Sequence, residues 1–402
     1  MENFSSDVPK IPDYKLSEKQ FLLSIPEVDD RHRQETVEFL VEEIKKEKLG
    51  PYYKYLHQEY PSLVTWDEEL YKNIAAENED TINGLESKIK SAQDDETELD
   101  LYTQTMKLAE YYTRIIDRSN ATETLKKALE LTSNTGYKID ILLTLTRIEF
   151  FFNDYKLVKH YLDQSKTLID KGGDWERRNR YKAYNGIYLL ATRDFVNLSS
   201  LLIDSLATFT STELCNYAQI AQYAIISGVM SLDRANLNTK IINSPEVLSI
   251  SSTDDSEFLE PAINLTNSLY TCQYNYFFKY LLETHDTLIL NNKYLRQHAN
   301  YFLKEMRCKA YSQLLESYKS LSLKSMAHSF DISEDFLDED LCKFIPNNKL
   351  NCTIDKVNGI IETNRPDNKN SQYHSLIKQG DGLLTKLQKY CAAVKLSGAE
   401  RV

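Results

Sequence analysis

A recurring pairing of small and large residues at helical spacing constrains this chain more than any other feature. Leu108, Ala109, Tyr112, Ala121, Leu125 and Ala128 follow one another as two antiparallel helices require. Small residues stand where the backbones approach, and large ones fill the gap between them. The pattern returns with Leu145, Val158, Leu162 and Ser165, and again with Gly186, Leu189, Leu198 and Ser205. With Leu125, Leu162 and Leu202 as equivalent places, the intervals are 37 and 40 residues, and turns fall at Ser119-Asn120, Asn153-Asp154 and Arg193-Asp194. Unequal periods predict a degenerate tetratricopeptide-like array, with three unrelated helix hairpins as the alternative. Either way, neighbouring hairpins share one core and the stack curves.

The rest of the chain suits an all-α fold. Only 11 glycines and 9 prolines punctuate 402 residues, too few for many short strands. A hydrophobic content of 42% supports two or three packed units. The 27 tyrosines read as helix-packing residues, apolar in body and polar at the tip. Residues 1–34 begin polar, with Pro9 and Pro12, and are expected to form a tail or extended arm. The repeat domain follows over 35–213. Residues 214–320 continue the helical pattern, broken at Pro245 and Pro261 around a Ser-rich acidic loop, 249–257. Near the end of that stretch Tyr294, Leu295, His298, Phe302, Met306, Tyr311, Leu314, Leu315 and Tyr318 trace one face of a long helix or helix pair.

Residues 321–365 read as a winged helix. Helices are expected at 323–330 and 334–344, and strands at 350–355 and 359–364, with Asn358-Gly359 as the hairpin signal between them. The helix that would enter a DNA groove carries Glu334, Asp335, Asp338, Glu339 and Asp340 against the single base Lys343. Five carboxylates repel phosphate, and no arginine is present to read a guanine edge, so the module is expected to dock protein. The candidate contact edge is Cys352, Ile354, Ile360, Ile361 and Thr363: an open strand can pair with a neighbour's strand. A capped edge without a role is the alternative.

A last helix is expected over 370–396, after a polar loop at 365–370. Tyr373, Gly380, Leu387 and Val394 alternate with Leu376, Leu383 and Tyr390 in a heptad. Ile377, Leu384 and Cys391 add a third apolar column, wider than a two-stranded seam needs. Such a helix is marginal alone in water, and Gly380 and Gly382 each weaken it by about 1 kcal/mol relative to alanine. It therefore wants a cover, from other chains or from its own. A second candidate contact is the basic run Arg177, Arg178 and Arg180, which suits either an acidic partner or solvent. It follows Gly172-Gly173 and a helix-capping Asp174.

Chemistry is excluded rather than suggested. GxSxG, GxxxxGK and GxGxxG motifs are missing, and the seven histidines show no HxH or HExxH spacing. A Cys–His pair such as Cys308 with His298 is the kind of nucleophile–base arrangement to check. No enzyme activity, cofactor, metal or small-molecule substrate is expected. A formal charge of −12 argues against nucleic acid. Six scattered cysteines read as reduced thiols of the cytosol or nucleus. No run reaches the 18 or so apolar residues of a membrane span.

Helical repeats, a winged helix and a terminal helix resemble the PCI architecture shared by the proteasome lid, the signalosome and a translation initiation factor. The strings GGDWERRNRYK (172–182), DSLATFTSTEL (204–214), YSQLLESYKSLSLKSMA (311–327), KFIPNNKLNCTIDKVNGIIETNRPDNKN (343–370) and QGDGLLTKLQKY (379–390) narrow this. They are similar to the fungal family of PCI-domain lid subunits of the 26S proteasome regulatory particle. A signalosome PCI scaffold is the alternative. The resemblance implies a non-catalytic scaffold in cytoplasm and nucleus, supporting assembly and ubiquitin-dependent degradation. Its winged helix (about 323–364) would meet other PCI lid subunits in an arc. Residues 373–394 would join a helical bundle containing the deubiquitinase pair, whose metal-dependent activity belongs to another subunit. The repeats would lie within reach of the ATPase ring.

Overall fold

A computed structural model describes residues 9–26, 29–94, 98–251, 256–364 and 368–399. The start of the expected arm and parts of the expected loops at 249–257 and 365–370 lie outside them. Two compact units divide the chain, one comprising residues 1–273 and 277–305, the other 274–276 and 306–402.

The first unit opens with α1 (Tyr14–Leu23), α2 (Asp30–Glu47), α3 (Gly50–Glu59) and α4 (Glu68–Asp94). The repeat helices follow as α5 (Glu98–Arg114), α6 (Arg118–Leu131), α7 (Thr135–Phe151), α8 (Tyr155–Gly172), α9 (Trp175–Ala191) and α10 (Phe195–Ser205). Next come α11 (Tyr217–Ser231), α12 (Arg234–Leu237), α13 (Pro245–Ser251), α14 (Ser256–Thr271), α15 (Tyr274–Thr284) and α16 (Ala299–Leu315), the last two spanning the division between units.

One turn geometry joins the hairpins. Ile116, Asn153 and Arg193 adopt left-handed φ angles of 60°, 60° and 66°. The amides of Asp117, Asp154 and Asp194 then donate back to Tyr112, Glu149 and Leu189 carbonyls at 3.0 Å, closing each helix in a six-residue ring. Each aspartate next caps the following helix, accepting from the amides of Asn120, Leu157 and Asn197. Asp117, Asp154 and Asp194 stand 37 and 40 positions apart, so the turns keep the same period as the core residues. The first turn lies at Ile116-Asp117, not at Ser119-Asn120: those two residues already sit in α6, because Asp117 supplies the cap. Leu108, Ala109, Tyr112, Ala121, Leu125 and Ala128 all lie in one core cluster.

The close approach is tightest where the repeat places Gly186. A methyl group there would stand 2.8 Å from Leu202 Cδ2, inside the α9–α10 contact. In α4, by contrast, a methyl on Gly84 meets nothing within 4 Å. Gly84→Ala is therefore expected to stabilise by about 1 kcal/mol through helix propensity. Gly186→Ala is expected to destabilise despite the same gain, since over-packing costs about 1–3 kcal/mol. Paired denaturant melts give the two signs.

The described part of residues 1–34 is not simply an arm. Asp13 caps α1, whose Leu16 and Leu23 enter the core with α2 and α3. Tyr14 Oη donates to the Arg147 carbonyl at 2.7 Å. Lys293 Nζ donates to Ser17 Oγ at 2.5 Å and to the carbonyls of Phe150 and Phe151 at 3.1 and 3.2 Å. Burial pushes this amine down to about 7. The prolines flanking a ten-residue helix hid its periodicity. Similarly, Pro261 does not break the chain but sits within α14.

The second unit adds β1 (Ser320–Ser322), α17 (Leu323–Phe330), α18 (Glu334–Phe344), β2 (Cys352–Asp355), β3 (Ile360–Thr363) and α19 (Asn368–Ala399). Its boundary lies inside α16 rather than at residue 320, because the second half of that helix belongs to the winged-helix core. Tyr311 meets Phe330 edge-on at 5.0 Å and Phe344 at 6.2 Å. Buried Asp340 accepts from Arg307 Nη1 at 2.7 Å and from Tyr311 Oη at 3.4 Å. Helix α16 stops at Leu315, and Ser320–Ser322 forms the third strand.

Candidate assembly surfaces

The three strands run in the order β1-β3-β2, all antiparallel. The hairpin forms where Asn358-Gly359 indicates, but through a four-residue loop, with Asp355 facing Ile360. Asp355 Oδ1 accepts from the amides of Val357 and Asn358, and Gly359 takes a left-handed φ of 64°. This order corrects the expected docking edge. Strand β3 pairs on both sides, so Ile360, Ile361 and Thr363 offer no open ladder. Ile361 is fully buried, and Thr363 Oγ1 donates to the Tyr318 carbonyl at 2.8 Å. The expectation failed because β1, only three residues long, carries no periodic signal. Of the named edge residues, Cys352 and Ile354 lie on β2, an outer strand; Cys352 is buried and Ile354 half-buried. The hairpin tip, unremarked in the sequence, presents Val357 at 92% exposure.

Helix α18 turns Leu337, Leu341 and Phe344 inward with Asp340, and Asp338 binds Lys356 Nζ at 2.8 Å. Glu334, Asp335 and Glu339 remain exposed, so the face a nucleic acid would meet is acidic.

Helix α19 is longer than the sequence indicates, running from Asn368 to Ala399, about 48 Å at 1.5 Å per residue. Its stripe is not buried by the chain. Tyr373, Leu376, Ile377, Leu383, Leu384, Leu387, Tyr390 and Val394 are 53% to 70% exposed, Cys391 is exposed, and a methyl on Gly380 would meet nothing within 4 Å. Full burial of a large apolar side chain is worth about 1.5–3 kcal/mol. Eight of them more than half exposed leave on the order of 10 kcal/mol unrealised.

The basic run divides. Arg180, 4% exposed, donates through Nε to Glu213 and through Nη1 to Asp140. Arg177 binds Asp140 at 2.7 Å and also Asp174, whose carboxylate turns to it instead of capping α9. Only Arg178 of the three is exposed. The contact patch expected at Arg177, Arg178 and Arg180 is thus largely an internal network. Along α9, Arg177 and Arg180 face Asp140 of α7, pairings across 37 and 40 residues that spacing does not reveal.

The candidate nucleophile–base pair has no spare base. His298 Nδ1 accepts from Arg193 Nε at 3.2 Å, and its Nε2 lies 3.1 Å from the Ala191 carbonyl. Burial lowers its pKa below the usual range. Among the described residues, no group of three or more His, Cys, Asp or Glu is placed to hold a metal ion, and no helix is long and apolar enough to cross a membrane.

Comparison with known proteins matches three segments of the chain. Residues 67–240 match the family described as 26S proteasome subunit RPN7, residues 282–365 the PCI domain, and residues 372–394 the C-terminal helix of 26S proteasome regulatory subunit RPN7/PSMD6. Helical repeats, winged helix and terminal helix in this order define a PCI-domain protein. The chain is 51% identical to 26S proteasome regulatory subunit RPN7 of Saccharomyces cerevisiae, covering 100% of this chain and 98% of that one. It is 42% identical to rpn7 of Schizosaccharomyces pombe, covering 98% of each. The chain belongs to the RPN7 family of 26S proteasome regulatory subunits. COP9 signalosome complex subunit 1 of Arabidopsis thaliana is 26% identical over 48% of this chain and 42% of its own length.

Proposed function

We propose that this chain is a non-catalytic scaffold of the proteasome regulatory particle lid, supporting lid assembly and so ubiquitin-dependent degradation in cytoplasm and nucleus. The exposed triple column of α19 carries this reading. A 32-residue helix with that much apolar surface gains its stability by packing among helices of other subunits. On this reading the bundle includes the deubiquitinase pair. The winged helix meets neighbouring PCI subunits through β2 or the Val357 tip, and the repeat unit lies within reach of the ATPase ring. A signalosome role is disfavoured by the partial, 26% similarity to that complex's subunit.

Native mass spectrometry of the complex purified through a tagged chain tests the proposal. The expected result is one copy of the chain among proteasome regulatory-particle subunits. Recovery with signalosome subunits, or as a lone 46.7 kDa species, overturns it.

A further inference from the structure

We infer that a cavity between α5, α7 and α9 receives one acidic side chain of a partner protein, held by Arg147. The cavity has a volume of about 310 Å³, at the low end for ligand sites and suited to a side chain with its neighbour. Its cationic groups are not equivalent. Arg177 and Arg180 are already matched by Asp140, Asp174 and Glu213. Arg147 is only 3% exposed, yet its partners are neutral: Nη1 donates to the Pro9 carbonyl and Nη2 to Thr144 Oγ1, each at 2.9 Å. Its Nε has no hydrogen-bond partner.

A buried guanidinium is ordinarily paired with an anion. The Nε edge is the side on which arginine takes a carboxylate in two-pronged fashion. That leaves one donor, Nε, without an acceptor, and a positive charge with no carboxylate hydrogen-bonded to it, Glu110 acting on it only through space. The lining also specifies the anion. Asp140, Glu110 and Glu176 face the same space, so a doubly charged phosphate meets about twice the repulsion that a single carboxylate does. Ile11, Met106 and Leu125 supply an apolar wall for methylenes and an adjoining apolar residue. Glutamate beside leucine or a similar residue, on the surface of a partner, fits both halves. The inference stands apart from the role of α19.

The test uses the full-length chain with N-acetyl-Leu-Glu-amide, the corresponding Leu-Gln peptide and inorganic phosphate, read by calorimetric titration. The glutamate peptide is expected to bind at least tenfold tighter than the glutamine peptide, and phosphate to compete poorly. Arg147→Met, with its fold checked by circular dichroism, is expected to abolish the difference between the peptides. Glu110→Gln, an exposed change that leaves the Arg147 contacts intact, is expected to tighten the glutamate peptide several-fold. Equal or absent binding of the two peptides, phosphate competing as well as glutamate, or Glu110→Gln weakening the complex overturns the inference. The last result would mean that Glu110 itself turns in to answer Arg147.

Discussion

Removal of residues 371–402 is expected to leave a chain that folds as before but no longer enters its complex. Residues 371–399 of this segment lie on α19, whose apolar columns are exposed, so their loss withdraws little from either compact unit. What is lost is the only apolar stripe of this length and exposure among the described residues. A double substitution, Leu383→Asp with Leu384→Asp, sharpens the experiment. Both side chains are more than half exposed in the chain alone, so monomer stability should shift by no more than the roughly 0.5 kcal/mol usual for surface changes. Inside a helical bundle the same carboxylates would be desolvated without partners, at a cost of several kcal/mol. A penalty of about 5 kcal/mol corresponds to a loss of association of roughly three to four orders of magnitude. Gradient sedimentation of cell extracts should move both variants from the large complex to the monomer position. A variant that assembles normally would remove α19 from the interface, whatever the family resemblance implies.

How legible these surfaces were follows from the range over which each signal acts. The α19 columns, the two winged-helix helices and the hairpin turn are local, written in side chains three, four or two residues apart. All were readable, with helix ends misplaced by a few residues. The same holds for the repeat, where Asn153-Asp154 and Arg193-Asp194 betray left-handed turns followed by caps. What could not be read is set by partners distant in sequence. Strand β1 exists because β3 lies beside it, and three residues in isolation prefer no structure strongly. Its pairing closes the edge that spacing alone left open. Helix α1 is tied through Tyr14 and Ser17 to Arg147, Phe151 and Lys293, all more than 120 residues away. The Arg177-Arg178-Arg180 run looks uniform in sequence, yet helical geometry sends its members in different directions. Charge density along a chain thus predicts a surface only when the opposite face is known.

That division yields the second large effect. Arg180→Met is expected to destabilise the first unit by about 3–5 kcal/mol, because it strands the Glu213 carboxylate, 4% exposed, without its cation. Tyr184 Oη, 3.2 Å from the same carboxylate oxygen, can share the load but not the charge. Glu213→Met should cost a comparable amount by leaving Arg180 with Asp140 alone, itself shared with Arg177. The double variant should recover much of the loss, since two apolar chains of similar volume are tolerated where one unpaired ion is not. Arg178→Glu, on the exposed side of the same helix, should change stability by no more than about 0.5 kcal/mol. Thermal and urea melts of the four proteins decide between two readings of the run. Were Arg180→Met to leave the melt unchanged while weakening assembly, the arginines would be a contact patch after all, and the internal network a minor contributor to the fold.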